Sequence, residues 1–433
     1  MIPLRTSLAL IAAAFGATCL VPSLAAAADD EHQHHYFCGH TTLGEPGEFN
    51  LNNRWASTAT NGGGLQQGDA TTLTWSIAPD GTSWYEDSQP SNLISFLDNI
   101  VGAGPGGSDL TQRPWFDSFQ RSFDRWSELG GVDYVYVSDD GAGTFTPGQL
   151  GQRGDVRIGG NNIDGNGSVL AYNYYPNNGD MTLDTGDANF YAQSSNNYRP
   201  LRNVIMHEHG HGLGMAHVSS SDSRFLMEPF IQTQFDGPQY DEIRALHRAY
   251  GDVHEKSGGN DAAGSALFLG NATAGTLGIG LDGNTGTIVD DSETDFVSID
   301  GLSDTDFFAF AIDGGSTLDL LLTPEGPTYF QGPQGGNQSE FDSSAVSDLN
   351  FTLFDTDGTT PLITVDLTDA GMSEMLSAFP LASAGTYFVQ VSGEVDNVQL
   401  YSLTLSSTLV PEPGSIALLG VVGLMVTRRS RRH

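Results

Sequence analysis

The sequence predicts an α+β domain, built as a mixed twisted sheet with three helices, followed by an all-β antiparallel sandwich domain. The chain has 433 residues, which is enough for two domains. Its 54 glycines favour turns and short strands over long helices. Apolar residues recur at helical spacing in the first half of the chain, whereas short alternating runs fill the region beyond residue 264.

The N-terminal region is predicted to lie outside the fold. Residues 1–28 combine an early Arg5, an apolar run and a small-residue exit that ends at Ala28, which is typical of a secretory signal peptide. A buried N-terminal helix is the alternative interpretation. Residues 29–70 are polar, glycine-rich and without periodic pattern, so they predict a flexible extension.

Residues 71–253 are predicted to form the first domain. Residues 71–77 alternate as a strand, and Trp115, Phe119, Phe123 and Trp126 recur at the spacing of an amphipathic helix. The remaining predicted elements are strands at 132–137, 155–158 and 168–175 and helices at about 200–213 and 238–250.

A histidine-rich segment at residues 207–217 contains the candidate metal ligands. His207 and His211 lie one helical turn apart on one face, and Glu208 lies beside them. Gly214 can adopt a left-handed conformation that ends the helix and returns His217 to the same point. Three imidazoles that leave one position open are typical of a catalytic zinc site. A histidine-rich surface helix without metal is the alternative.

Residues 207–217 match HExxHxxGxxH and so resemble the zinc motif of the metzincins, and residues 225–230 resemble the Met-turn of the matrixin branch. The resemblance implies a matrixin-like zinc endopeptidase with one catalytic zinc held by His207, His211 and His217. It gives Met227 the Met-turn role beneath the ligands, although a lone methionine is more often core filling. His209 lies off the ligand face by its spacing.

Two glycine-rich stretches resemble the calcium-holding segments of matrixins. By that resemblance Asp164, Asp184 and Asp187 would be calcium ligands, and oxygen-rich loops suit calcium. Asx turns in a glycine-rich loop are the alternative interpretation. Tyr172 and Thr182 stand where the resemblance would place imidazoles of a second, structural zinc site, so one zinc is predicted.

The motif predicts a mechanism for peptide hydrolysis. Zinc would lower the pKa of its water to about 7, and Glu208 would take the proton of that water and pass it to the leaving amine. An extended protein or peptide substrate would pair with the edge strand predicted at residues 168–175. A zinc hydrolase that acts on other substrates is a further hypothesis.

Residues 254–264 read as a linker, and residues 265–408 show repeated short alternating runs that indicate a sandwich. The stretches at 304–310 and 384–393 resemble the pre-peptidase C-terminal domain of secreted bacterial proteases. This resemblance implies an accessory role. A catalytically inert surface or extracellular-matrix protein, which uses the sandwich for adhesion, is the alternative function.

Residues 409–433 contain Pro411-Glu412-Pro413, a short apolar run and a basic terminus, and so resemble a PEP-CTERM sorting tail. The resemblance implies transient membrane association and processing by exosortase-type sorting machinery, with the protein delivered to the cell envelope surface or the extracellular matrix. A plain tail anchor is the alternative.

The net charge of -36 argues against nucleic acid as a partner, because binding a phosphate backbone requires clustered Lys and Arg. After signal removal Cys38 would be the only cysteine, so no disulfide can form within one mature chain. Cys38 faintly resembles the matrixin cysteine switch, in which a thiolate caps the zinc. A free surface thiol is the alternative interpretation.

Overall fold

The structure is a computed structural model that describes residues 49–84, 89–283, 286–333 and 336–410. The predicted signal peptide, Cys38 and the sorting motif from Pro411 onward lie outside these residues. Within the described ranges, none of the helices combines the length and the apolar character needed to cross a membrane.

The first domain is built on a mixed five-stranded sheet, in the order β4-β3-β5-β7-β6. Strand β6 is an edge strand of this sheet, because it pairs with β7 alone. This pairing is antiparallel, whereas the other pairings of the described sheet are parallel. The strands are β1 (Ser57–Thr58), β2 (Gly62–Gly63), β3 (Thr71–Ile77), β4 (Val132–Tyr136), β5 (Val156–Asn161), β6 (Ala171–Asn173), β7 (Met181–Asp184) and β8 (Val218–Ser219). The helices are α1 (Leu93–Ile100), α2 (Phe116–Leu129), α3 (Ala188–Tyr191), α4 (Arg199–Gly212) and α5 (Tyr240–Tyr250).

Helix α2 packs its aromatic face on the sheet. The ring of Trp75 on β3 stacks on Phe116 and Phe123 of α2, with centroids 5.3 and 4.7 Å apart. Trp126, one turn further along α2, is fully buried and donates through its indole N–H to the carbonyl of Met206 in α4. The aromatic spacing therefore places α4, the helix of the histidine motif, against a rigid core.

The fold class is confirmed, with corrections to individual elements. All three predicted helices are present, as α2, α4 and α5, but the sequence pattern missed α1 and the single turn α3. Helix α1 carries no side-chain N-cap of its own. The carboxylate of Asp80 accepts from the amides of Ile94 and Ser95, which lie 14 and 15 residues further along the chain. The cap of the helix is therefore supplied by a distant residue and leaves no local signal in the sequence.

The prediction of a flexible extension over residues 29–70 is wrong from residue 49 onward. Phe49 and Trp55 are buried in the core, and the Trp55 indole donates to the carbonyl of Gly212 at 2.8 Å. The amide of Asn52 donates to the carbonyl of Gly214 at 2.8 Å. The segment lacks a periodic pattern because a few isolated residues, rather than a regular element, anchor it.

The second domain is the predicted sandwich of two sheets. One sheet has the order β10-β20-β13-β18 with β11 also paired to β20, and the other has the order β17-β16-β19-β12-β9. All pairings within the two sheets are antiparallel except that of β9 with β12. The strands of this domain are β9 (Leu267–Asn271), β10 (Leu277–Ile279), β11 (Val297–Ile299), β12 (Asp306–Ile312), β13 (Ser316–Pro324), β14 (Thr328–Pro333), β15 (Ser339–Asp342), β16 (Leu349–Phe354), β17 (Pro361–Val365), β18 (Glu374–Leu381), β19 (Gly385–Gly393) and β20 (Gln399–Leu409).

The segment predicted as a linker is held at both ends. Two short 3₁₀ helices, Val253–Ser257 and Ala263–Ser265, overlap its two ends. Lys256 lies 3.1 Å from the carboxylate of Asp133 in the first domain, and the amide of Phe307 in the sandwich donates to the carbonyl of Asn260. The described residues of the two domains form one compact unit.

Strands β14 and β15 belong to neither sheet of the sandwich. They form a three-stranded sheet with β8 in the order β15-β14-β8. Because β8 begins one residue after His217, the sandwich domain extends to the histidine motif.

Candidate metal centre and active site

Helix α4 carries the first two histidines of the motif. It begins with Pro200 in its first turn, where a missing N–H costs nothing, and it ends at Gly212. Gly214 follows with a φ of +108° and turns the chain back toward the helix. The fixed spacing on the helix and this turn together bring His217 to His207 and His211.

The three imidazoles converge through the same ring nitrogen. Nε2 of His217 lies 3.2 Å from Nε2 of His207 and 3.2 Å from Nε2 of His211. The other nitrogens are turned outward: Nδ1 of His207 donates to the carbonyl of Leu226 at 2.6 Å, and Nδ1 of His211 donates to the carbonyl of Met215 at 2.7 Å. A carbonyl can only accept, so both rings carry the proton on Nδ1 and present the Nε2 lone pair inward.

This geometry fits zinc. Bonds of 2.0–2.1 Å to nitrogen in a tetrahedral site separate the ligand atoms by about 3.3 Å, close to the observed spacing. Neutral imidazoles whose second nitrogen is held by a carbonyl are the usual form of zinc-binding histidines. The residues present therefore match a zinc site with three protein ligands, as the spacing of the motif predicts.

Glu208 lies on α4 between the two helical ligands and is 7% exposed. Burial raises its pKa to about 8, which favours the protonated carboxyl. A divalent ion bound at the adjacent imidazoles would act in the opposite direction, because it favours the carboxylate. Burial and a neighbouring divalent ion would thus act on the pKa of Glu208 in opposite directions, and carboxyl groups with a perturbed pKa are common at catalytic sites.

Met227 lies against the helix between the ligands, as the Met-turn role requires. A Cβ on Gly210 would come within 2.4 Å of the Met227 sulfur, so only glycine lets the helix approach this closely. The amide of Met227 donates to the Glu242 carboxylate of α5 at 2.9 Å, and its carbonyl accepts from the amide of Val218 at 3.0 Å. The sequence pattern missed Gly210 and Glu242, because neither belongs to a recognisable ligand or catalytic spacing.

His209 is not part of the triad. It is 1% exposed, its Nε2 lies 2.7 Å from the Tyr134 hydroxyl, and its ring packs edge-on against Phe123. Burial lowers its pKa to about 3, so the ring is neutral. These contacts are consistent with the prediction that His209 lies off the ligand face, and they show that the ring is buried.

The structure places Tyr172 and Thr182, which stand where the family resemblance would put imidazoles, on neighbouring strands. Tyr172 and Thr182 face each other across β6 and β7, and the Thr182 hydroxyl accepts from the indole N–H of Trp84 at 2.9 Å. Among the described residues, two groups of three potential ligands converge within 4.8 Å: the histidine triad, and Glu255 with Asp261 and Asp304.

The second group is a cluster of carboxylates between the two domains. Burial, reinforced by repulsion from neighbouring carboxylates, raises the pKa of Glu255 to about 8 and that of Asp304 to about 7. Asp300, with a pKa raised to about 8 by the same causes, adds to the cluster. The folded chain therefore binds more protons here near neutral pH than the unfolded chain does.

The three aspartates predicted as calcium ligands organise the loop that precedes β6. Asp184 accepts from the amides of Ile163 and Asp164, and Asp187 accepts through Oδ1 from the amide of Gly167 at 2.7 Å. Oδ2 of Asp187 is buried and has no hydrogen-bond partner. Asp164, Asp184 and Asp187 do not form one of the two groups that converge within 4.8 Å.

The surroundings of the triad are only partly as predicted. The edge strand predicted at 168–175 is shorter, because only Ala171–Asn173 pairs with β7. Beyond it, the ring of Tyr175 contacts the ring of His211 at 5.9 Å between centroids. Phe230, the last residue of the segment that resembles the Met-turn, is 84% exposed.

Gly214→Ala is expected to destabilise the loop that carries His217. A Cβ at this position would come within 1.8 Å of the Asn53 carbonyl, in addition to the strain of a positive φ. The two effects together predict a loss of about 2–6 kcal/mol in the free energy of unfolding, measured by denaturant titration. Gly62→Ala is the matched control, since Gly62 has a φ of +74° but open space around it. An equal loss in both variants would contradict the proposed close approach.

The fold and the site together define a class of protein: a mixed-sheet domain with an HExxH helix, a glycine turn and a third histidine, in which three imidazole nitrogens converge. Residues 105–251 match the sequence model of the Matrixin family. This part of the chain is therefore similar to the Matrixin family, in agreement with the resemblance of the motif.

Two relatives match about a third of the chain. The chain is 29% identical over 153 residues to the hatching enzyme of Paracentrotus lividus, covering 33% of this chain and 24% of that protein. It is 30% identical over 152 residues to matrix metalloproteinase-18 of Xenopus laevis, covering 33% of this chain and 30% of that protein. The chain thus spans about a quarter to a third of the length of these relatives.

Among solved structures, the pre-peptidase C-terminal domain of collagenase from Bacillus anthracis aligns with 33% of this chain and 94% of that domain. The sequence identity is 14% and the TM-score is 0.20. The description of the second domain as a sandwich comes from its own strand pairing.

Proposed function

We propose that the chain is an exported, zinc-dependent endopeptidase that hydrolyses peptide bonds in extended protein substrates. The observation that carries this proposal is the convergence of the Nε2 atoms of three histidines beside the buried Glu208. Nε2 of His217 lies 3.2 Å from Nε2 of His207 and 3.2 Å from Nε2 of His211. The Matrixin match and the relatives with proteinase names support the same reaction class.

The three imidazoles would hold the metal, and zinc bound there would supply an acidified water and a Lewis acid for the substrate carbonyl. Glu208 would accept a proton from the attacking water and donate it to the leaving amine. The carbonyls of Leu226 and Met215 keep two of the imidazoles in the required tautomer. Met227 supports the helix turn between the ligands.

Strand β6 is the proposed platform for the substrate. As an edge strand it has one side free of strand pairing within the described sheet, and an extended peptide could add to that side by backbone hydrogen bonds. Backbone pairing fixes the position of the scissile bond without dictating the sequence around it. The segment from Met227 to Phe230 would then contribute to selectivity for the residue after the cut.

We propose that the domain binds one zinc. The Trp84–Thr182 hydrogen bond occupies the place where the family resemblance would put ligands of a second ion. Calcium bound by Asp164, Asp184 and Asp187 is a further part of the proposal, supported by the buried, unpartnered Oδ2 of Asp187. The proposal for export rests on the sequence of residues 1–28, and that for exosortase-type sorting rests on residues 409–433.

The test is an assay of the mature chain on a denatured protein mixture, with and without a zinc chelator, in which cut sites are identified by mass spectrometry. We expect new peptide termini that disappear on chelation and return when zinc is added back. Absence of cleavage by a zinc-loaded, folded chain would reject the endopeptidase and favour the inert adhesion protein.

A further inference from the structure

We propose that strand β14 of the second domain is a positioning element of the zinc site, which fixes the loop between the third ligand and the Met-turn. The proposal rests on the proposed function only in so far as His217 binds zinc. It assigns the second domain a part in the site itself, and Tyr329 is the positioning residue on which it depends most.

The loop of residues 218–226 is closed at its base, where the amide of Val218 donates to the Met227 carbonyl at 3.0 Å and that of Ser220 donates to the Glu228 carboxylate at 3.1 Å. It is short and polar over most of its length, with four serines among its first six residues. Its internal hydrogen bonds are local, such as that from the amide of Asp222 to the Ser220 hydroxyl. The loop nevertheless connects His217, which must lie within 3.2 Å of two other ring nitrogens, to Met227.

Strand β14 holds the outer side of this loop by backbone pairing. Gly332 lies opposite Ser219 and Pro333 opposite Val218 in an antiparallel register. Further along, the amide of Phe330 donates to the Asp222 carboxylate at 3.2 Å. These contacts connect two parts of the chain more than 100 residues apart, so the loop conformation depends on the docked sandwich.

Tyr329 of strand β14 packs against the same loop through its ring. Its ring packs edge-on against Phe225, two residues before Met227, with centroids 5.0 Å apart. The side chain is 2% exposed, and its hydroxyl donates to the Asp241 carboxylate and accepts from Arg244, both at 3.3 Å. The ring therefore fills the space between the loop and helix α5.

Tyr329 is also connected to Met227 through helix α5. Asp241 is followed by Glu242, whose carboxylate accepts from the amides of Met227 and Gln239. Tyr329 thus touches both the loop, through Phe225, and the first turn of α5, which holds Met227. Groups that hydrogen-bond metal ligands commonly change metal affinity by about 10- to 100-fold when they are lost. Tyr329 acts one contact further from the ligands, through Phe225 and Asp241, so its effect should lie at the lower end of that range.

The experiment compares Tyr329→Phe and Tyr329→Ala with the wild-type full chain. Tyr387→Phe is the matched control, because Tyr387 is a 3% exposed tyrosine of the sandwich core whose hydroxyl donates to the Ser383 carbonyl at 3.0 Å. Zinc affinity is measured by competition with a chelator. The second readout is the rate of trypsin cleavage after Arg224 in the zinc-free chain, identified by mass spectrometry.

We expect Tyr329→Ala to weaken zinc binding about tenfold, the lower end of the range for groups around metal ligands, and to accelerate cleavage after Arg224. Tyr329→Phe should shift both readouts in the same direction by about two- to tenfold, because it removes the hydrogen bonds of the hydroxyl to Asp241 and Arg244 but keeps the ring. Tyr387→Phe should leave both within twofold of wild type. If Tyr329→Ala does not fold, the comparison of the two Tyr→Phe variants decides.

Wild-type zinc affinity and wild-type cleavage after Arg224 in both Tyr329 variants would overturn the inference. The same changes in Tyr387→Phe would also overturn it, since they would reflect general loss of sandwich stability. A wild-type chain that binds no zinc would reject the proposed function instead. The rate of trypsin cleavage after Arg224 in the zinc-free chain would still show whether Tyr329 fixes the loop.

Discussion

Replacing Glu208 with alanine or glutamine is expected to reduce peptide hydrolysis by about 10²- to 10⁴-fold while zinc remains bound. The expected effect is this large because neither side chain can accept a proton from the attacking water. Zinc should remain because Glu208 is not one of the three converging ligands. The measurement is kcat/KM on a peptide substrate, together with the zinc content of each variant.

Glu208→Gln keeps the size of the side chain, so it separates loss of the proton acceptor from loss of packing around a 7% exposed residue. Comparable activity losses in the two variants would indicate chemistry rather than packing. Activity retained in Glu208→Gln would reject Glu208 as the base and leave the triad itself untouched.

His217→Ala is expected to abolish both zinc binding and hydrolysis. Two imidazoles remain after this substitution, and a catalytic zinc site needs three protein ligands. The measurement is zinc per chain by elemental analysis after dialysis against a weak chelator, with the activity assayed in parallel. We expect the zinc content to fall from one per chain to near zero.

His209→Gln is the matched control for that substitution. It removes an imidazole from the same helix, but the ring of His209 binds Tyr134 and lies outside the triad. Its zinc content should equal that of the wild type even if its thermal stability falls. Zinc lost in His209→Gln from a folded chain would contradict the proposed ligand set.

Local patterns predicted the parts of the site that lie close together in sequence. The spacing of His207 and His211 is a property of any helix, and Gly214 followed by His217 needs only one turn of the chain. The aromatic residues of α2 gave the helix that packs against α4 for the same reason.

Features made by distant residues could not be predicted in this way. The cap of α1 is Asp80, and Trp55 is ordered by a hydrogen bond to Gly212 of α4. The pairing of β14 with β8 joins residues that no local periodicity connects. Each is a contact between segments whose own patterns are weak, so that tertiary packing rather than propensity decides the structure.

The most direct test of the account is a crystal structure of the mature, zinc-loaded chain with an anomalous difference map at the zinc edge. We expect one strong peak 2.0–2.1 Å from Nε2 of His207, His211 and His217. A map with no peak at that point, or rings that turn their Nε2 atoms away from one another, would contradict the central claim.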